Sequence, residues 1–339
     1  STLMDLSFLV RSVHANIPYL HLTDSVLVNV GNYLGLMLLV MLTYTLPLWN
    51  HYKSREIFQL YTSINDCDRK LRKLGICIDH RNHRIFSTTN IVASMCISVI
   101  ITLNGLSVRR NKAFDNDKYT KLETDVAIFR LSTNFSLFIS YTRLTLMSIN
   151  GRLDKLQKSI AALLTSGGPK HACRTIRRIA AAHDQLCEMI DIFNDCYSVQ
   201  TMYAVIIAAS ATVFVVFGLI HAYASNASEV TMQMAWTNML YGWFYMAMFV
   251  LMVLNTSLVG ANRKRMAFAV HKALCYIPYD KQIFEELGRF SLQLEQHAPK
   301  ISSGFFDFDW TLFYSAAGTF TTYLIILLQF DLGNLNFQC

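Results

Sequence analysis

Residues 310–330 run WTLFYSAAGTFTTYLIILLQF, 21 residues with no formal charge. At about 1.5 Å of rise per residue, such a helix reaches roughly 30 Å, the thickness of a bilayer's hydrocarbon core. Its polar and small residues are ordered. Thr311, Ser315, Gly318, Thr322 and Gln329 follow one another at spacings of 4, 3, 4 and 7, so they share one face, and the other faces are mostly Leu, Ile, Phe and Tyr. Lipid offers such a stripe of hydroxyls and amide nothing to bond. The stripe either bonds a neighbouring helix or faces water in a conduit, and spacing alone leaves both open.

The rest of the chain agrees with a membrane setting. Its 339 residues are 53% apolar and only 16% charged, where a soluble domain carries about a quarter charged residues. Several further runs near 20 apolar residues make the fold all-α, a polytopic helical membrane protein. The net charge of +7 then concerns orientation and contact with anionic membrane lipid, not nucleic acid. The eight cysteines form no close CxxC pair, and His80/His83 and His171/Cys173 lack a second ligand pair, so no metal and no cofactor is expected. There is no nucleophile elbow, phosphate loop or zinc motif, and the spans lack carboxylates away from their ends, which argues against an enzyme.

Residues 1–23 read as an extracellular lead-in with a short helix at Leu3–Val10. They are not a signal peptide, because no basic start precedes an apolar run. The spacing predicts six spans: Ser25–Trp49, Phe86–Leu106, Thr124–Ile149, Val199–Tyr223, Met232–Gly260 and Trp310–Phe330. The first five fall within 24–262, and the last is a separate helix over 308–330 followed by a tail, 331–339. Between spans lie long basic stretches, 50–84, 151–198 and 263–307, with apolar residues at helical period. Ser166-Gly167-Gly168-Pro169 breaks the second and Ser302-Ser303-Gly304 ends the third. The third is expected to be a single anchor helix with Phe284, Leu287, Phe290 and Leu294 in its core. These amphipathic stretches either pack together near a central axis or lie on the anionic leaflet.

Of the 30 Lys and Arg, 22 lie in those three stretches and 6 on the opposite side, which puts the long stretches inside and the C-terminus outside. Arg130 and Arg143 fall within the third span. No internal repeat is found, so an inverted-repeat transporter has no support.

The end of the last helix carries a resemblance. Thr322-Tyr323-Leu324-Ile325-Ile326-Leu327-Leu328-Gln329-Phe330 resembles the T-Y-(five apolar)-Q-F ending of insect gustatory receptors, relatives of the insect odorant receptors, and the order of spans is similar throughout. The resemblance implies a seven-transmembrane insect chemoreceptor fold with long cytoplasmic helix extensions, in which six spans are visible here. The parity of that fold closes if one span precedes Ser1. It also implies a homotetramer, or a heteromer with other gustatory receptors, that is a ligand-gated cation channel. In it this helix from each subunit lines a central pore and the other helices hold a pocket open to the outside.

Candidate residues follow from both lines. In a fourfold ring Gln329 presents four amides at the outer mouth, and Ile325 and Ile326 lie one turn below, where apolar side chains exclude water. With Phe330 and Thr322 they make the expected gate, the resemblance supplying the role. Tyr323 faces away from the stripe and is expected to couple pocket to gate. Small-molecule pockets are apolar and aromatic with a few placed polar groups. The outer halves of the spans supply Tyr33, Arg130, Asn134, Phe217, His221, Gln233, Trp236, Thr237 and Tyr241, of which the last four share helical spacing on one span. Each has a plainer reading: Trp and Tyr as interfacial anchors, Asn and Thr as interhelical bonds, His221 as a wetted helix end, Arg130 as a snorkelling cation.

The expected ligand is a small-molecule tastant, bitter or broadly tuned in preference to a sugar, and the expected setting is the plasma membrane of a chemosensory neuron. The alternative is a G-protein-coupled type of seven-helix receptor without its own pore. That class needs a cytoplasmic C-terminus, whereas residues 331–339 carry no Lys or Arg.

Overall fold

A computed structural model describes residues 25–78, 80–111, 118–165, 169–276, 280–297 and 299–336. The lead-in 1–23 and the Ser166-Gly167-Gly168 break lie outside the described residues. Among the described residues eight helices follow in order: α1 Val26–Tyr52, α2 Ser54–Lys73, α3 His80–Asn111, α4 Lys118–Thr165, α5 Pro169–Ala224, α6 Glu229–Tyr276, α7 Lys281–Gln296 and α8 Trp310–Asn336. Among the described residues there is no strand, only an isolated bridge between Ser302 and Asp307.

Local chemistry sets several helix ends. The Ser25 hydroxyl accepts from the Val28 amide at 3.5 Å and caps α1. Pro169 opens α5, where its missing N–H costs nothing. Asp280 caps α7 through the Gln282 amide at 2.9 Å, and Asp309 caps α8 through the Leu312 amide at 3.0 Å. Only Lys53 separates α1 from α2. Helix α5 has 56 residues, about 84 Å of rod, so it crosses an apolar half and a charged half of the molecule.

The structure departs from the sequence reading in four places. Among the described residues five helices, not six, are long and apolar enough to cross a membrane: Val26–Tyr52, Arg84–Gly105, His171–Ala224, Glu229–Cys275 and Trp310–Asp331. The expected span Thr124–Ile149 lies in α4, which packs against α1, α3, α5 and α6. It buries Ser132, Ser136, Ser140, Thr142 and Arg143 among them, and a helix enclosed by protein need not match lipid. Segment 263–307 is not one helix, since α6 runs on to Tyr276 and α7 is separate. Phe284 is 54% exposed, and Ile283 takes its expected place beside Leu287, Phe290 and Leu294, because spacings of 4, 3 and 4 put those four on one stripe. Finally, α8 continues past Phe330 to Asn336.

Two large apolar cores result among the described residues, beside a small third contact between Val40 and Leu131. The larger, in the charged half, joins α2, the ends of α4, α5 and α6, and α7 around Leu60, Leu71, Leu153, Leu186, Phe193 and Phe290. Within it the Arg152 guanidinium grips the Asp68 carboxylate with two bonds, Nε–Oδ1 at 2.7 Å and Nη2–Oδ2 at 2.8 Å. On α5, His183 is fully buried in the same core, its ring edge-on to Phe290 at 6.0 Å. The smaller core, around Leu42, Phe135, Ala208, Phe244 and Phe249, lies in the apolar half. There small residues let helices approach closely. A Cβ on Gly31 of α1 would stand 2.1 Å from the Phe214 ring of α5.

Two outcomes follow. Asp68→Ala leaves the Arg152 cation buried without its carboxylate and costs about 3–5 kcal/mol, read as a lowered thermal transition of the detergent-solubilised protein. Gly31→Ala destabilises by about 1–3 kcal/mol through overpacking, and Phe214→Ala in the same chain recovers most of the loss; an unchanged melting temperature for Gly31→Ala would contradict the close approach.

Candidate functional site

Helix α8 is fixed at both ends and bare between them. At its foot, Ile301 and Phe308 are buried, and the chain turns between them with Gly304 at φ +84°. The Phe308 amide donates to the Ile301 carbonyl at 2.9 Å and the Ser303 amide to the Phe306 carbonyl at 3.1 Å. Asn194 of α5 braces this turn from both sides: its Nδ2 donates to the Lys300 carbonyl at 2.7 Å and its Oδ1 accepts from the Ser302 amide at 3.2 Å. Leu312 and Phe313 then seat α8 on the bundle, with the Phe313 ring 6.2 Å from Phe249.

Above that, none of residues 310–330 is buried in the single chain. Thr311, Ser315, Gly318, Thr322 and Gln329, the whole predicted stripe, are exposed. So are Tyr323, Ile325, Ile326 and Phe330, the last at 68%. The chain's own helices therefore do not cover the stripe. The Thr322 hydroxyl donates to the Gly318 carbonyl at 3.1 Å, which satisfies its proton internally and leaves oxygen lone pairs outward.

The residues expected to line a pocket fall into three groups. Thr237 and Tyr241 turn into the bundle: Asn104 Nδ2 donates to the Thr237 hydroxyl at 3.2 Å, and the Tyr241 and Thr102 hydroxyls bond at 2.7 Å. Gln233 and Trp236, on the same helix, point outward, Trp236 at 48% exposure. A face shared by spacing is thus divided by packing, and these four do not converge. Phe217 and His221 form a second buried group, rings 6.3 Å apart. His221 is not a wetted helix end, since it is buried. Its Nδ1 bonds Asp331 Oδ2, and Ser25 Oγ donates to Asp331 Oδ1 at 3.2 Å. Tyr33, Arg130 and Asn134 are half-buried on α1 and α4.

Two features were not singled out from sequence. Asn90, Ser94, Ser98 and Thr102 recur every four residues on α3 and form a polar seam through the bundle. Arg143 donates to Asn90, Ser140 to Ser94 at 3.1 Å, and the Ser98 and Ser132 hydroxyls bond at 3.3 Å. Their spacing was the available signal. The other is Asp331, read as tail, though it is the sole charged residue of the 27 in α8. A half-open apolar cavity of about 230 Å³ lies between α5 and α6, lined by Thr212, Val215, Gly242, Trp243 and Met246, none of them an expected pocket residue.

Comparison with known proteins agrees with this architecture. No curated protein matches the sequence. The solved insect olfactory receptor OR5 from Machilis hrabei is similar in fold, with a TM-score of 0.67 at 14% identity, covering 96% of this chain and 88% of that one. The same receptor in complex with eugenol matches at 0.67 and 15% identity, with the same coverage. A family model described as 7tm Chemosensory receptor matches residues 6–334. A helical membrane bundle with a bare polar-edged helix at its end, matched over nearly its whole length, thus belongs to the seven-transmembrane chemosensory receptor family.

Proposed function

We propose that this chain is one subunit of a tetrameric, ligand-gated, non-selective cation channel of gustatory type, opened by an extracellular small-molecule tastant. The observation that carries the reading is the uncovered polar edge of α8. A helix apolar enough to cross a bilayer exposes Thr311, Ser315, Gly318, Thr322 and Gln329 on one side. Lipid cannot satisfy the Gln329 amide, and the subunit's own helices leave it bare. Four copies facing an axis turn that edge toward water and cations. Gln329, Phe330, Ile325, Ile326 and Thr322 then form the gate, with Tyr323 as coupling residue.

The long basic stretches are then cytoplasmic, where their large core is an anchor, and the C-terminus is extracellular in the plasma membrane of a chemosensory neuron. The ligand reaches the distal half of the bundle, near Tyr33, Arg130, Asn134, Phe217, His221, Gln233, Trp236, Thr237 and Tyr241. A similar receptor is solved with eugenol, a small aromatic molecule, and the Thr237–Tyr241 face with its aromatic neighbours suits compounds of that character as well as bitter alkaloids.

Gln329→Ala is expected to change unitary conductance or cation selectivity in patch recordings, and currents identical to wild type would contradict a gate at Gln329. A C-terminal epitope is expected to be labelled on intact, unpermeabilised cells; labelling only after permeabilisation would favour a G-protein-coupled receptor.

A further inference from the structure

Asp331 follows Gln329-Phe330 directly, and its setting is unlike the rest of the helix. It is buried, whereas residues 310–330 are not. Its two carboxylate oxygens meet two other helices. One accepts from Ser25 at the start of α1, and the other bonds His221 near the end of α5. All three side chains are buried, with Ser25 at 6%, His221 at 5% and Asp331 at 8% exposure. Among the described side chains of α8, Asp331 is the only one that bonds another helix. His221 lies on α5, the same helix whose Asn194 braces the foot of α8.

Helix geometry adds a direction. At about 100° per residue, Asp331 lies about 200° round the helix from Gln329 and about 180° from Thr322. The carboxylate therefore points into its own subunit while the polar stripe points away from it. We propose that His221, Asp331 and Ser25 form a latch that holds the gate end of α8 against its own subunit. The inference rests on the channel reading above. If the gate opens when the four helix ends move apart, each end must move toward its own subunit. The latch holds it in that direction and so favours the open arrangement. A buried carboxylate that loses its partner is poorly solvated, so the arrangement without the contact is disfavoured. His221 and Asp331 are thus positioning residues. They act by setting where Gln329 and Phe330 stand.

The experiment is a double-mutant cycle in the full chain expressed in oocytes. Currents are normalised to surface-labelled protein and evoked by the first active compound among quinine, caffeine, sucrose and eugenol. His221→Ala and Asp331→Asn are each expected to raise the half-maximal concentration about tenfold, the scale of a typical coupling between sites. The double variant is expected to be no worse than either single one. The exchange of His221→Asp with Asp331→His is expected to recover most of the loss, which a merely structural defect would not do. Ser25→Ala, a smaller change, shifts the curve in the same direction and serves where a variant fails to reach the surface. Half-maximal concentrations within twofold of wild type in both single variants, or fully additive losses, would overturn the latch. Latch variants without effect while Gln329→Ala alters conduction would sink the latch and spare the channel. Latch variants that shift the response while Gln329→Ala leaves conduction untouched would sink the channel reading, and with it the latch.

Discussion

Hydrocarbon offers no partner to an amide or a hydroxyl, and every helix of the apolar half is arranged around that constraint. Helices α3, α4 and α6 meet it in large part inside the subunit, though the Thr133 hydroxyl and the Arg143 Nε of α4 are buried without a partner among the described residues. Their Asn, Ser, Thr and Tyr side chains bond one another from Asn90–Arg143 to Asn104–Thr237. Helix α8 does not meet it. The hydroxyls of Thr319, Thr321 and Thr322 turn back on carbonyls of their own helix, and its Gln329 side chain is exposed. Along this edge the described helices leave the requirement open, and a set of copies around a water path would meet it.

The two halves are stabilised differently. In the charged half, α2, α7 and the ends of α4, α5 and α6 bury a broad apolar core against water, and polar groups there are paired, as Arg152 is with Asp68. In the apolar half, lipid competes for the same surfaces and burial gives little net drive. Helices are held by close approach, as at Gly31 against Phe214, and by the hydroxyl seam. The charged half is therefore the firmer end, and the distal ends of the helices are the natural place for movement.

Helix α5 joins the two. It holds the turn below α8 through Asn194 and the end of α8 through His221, 27 residues further on. That separation is about 40 Å of unbroken helix. A displacement of the α5 distal end, where Phe217 and His221 pack together, reaches the last turns of α8 without passing through the bare middle.

The membrane class, the positions of most helices, the basic stretches and the polar edge of α8 were legible in the sequence. Each depends on local periodicity or on charge counted along the chain. The seam on α3 was legible in the same way, through Asn90, Ser94, Ser98 and Thr102 at a spacing of four, but went unread. Other features were not legible. The enclosure of α4 by four neighbours, the outward turn of Trp236 beside the inward turn of Thr237, and the exchange of Phe284 for Ile283 depend on how helices rotate against one another. Spacing names the face, and packing decides which way it points. The pairing of Asp331 with His221 and Ser25 joins residues 110 and 306 positions apart. No periodicity reaches across that distance; three helix ends have to be brought to one point before a lone carboxylate after an apolar run acquires a partner.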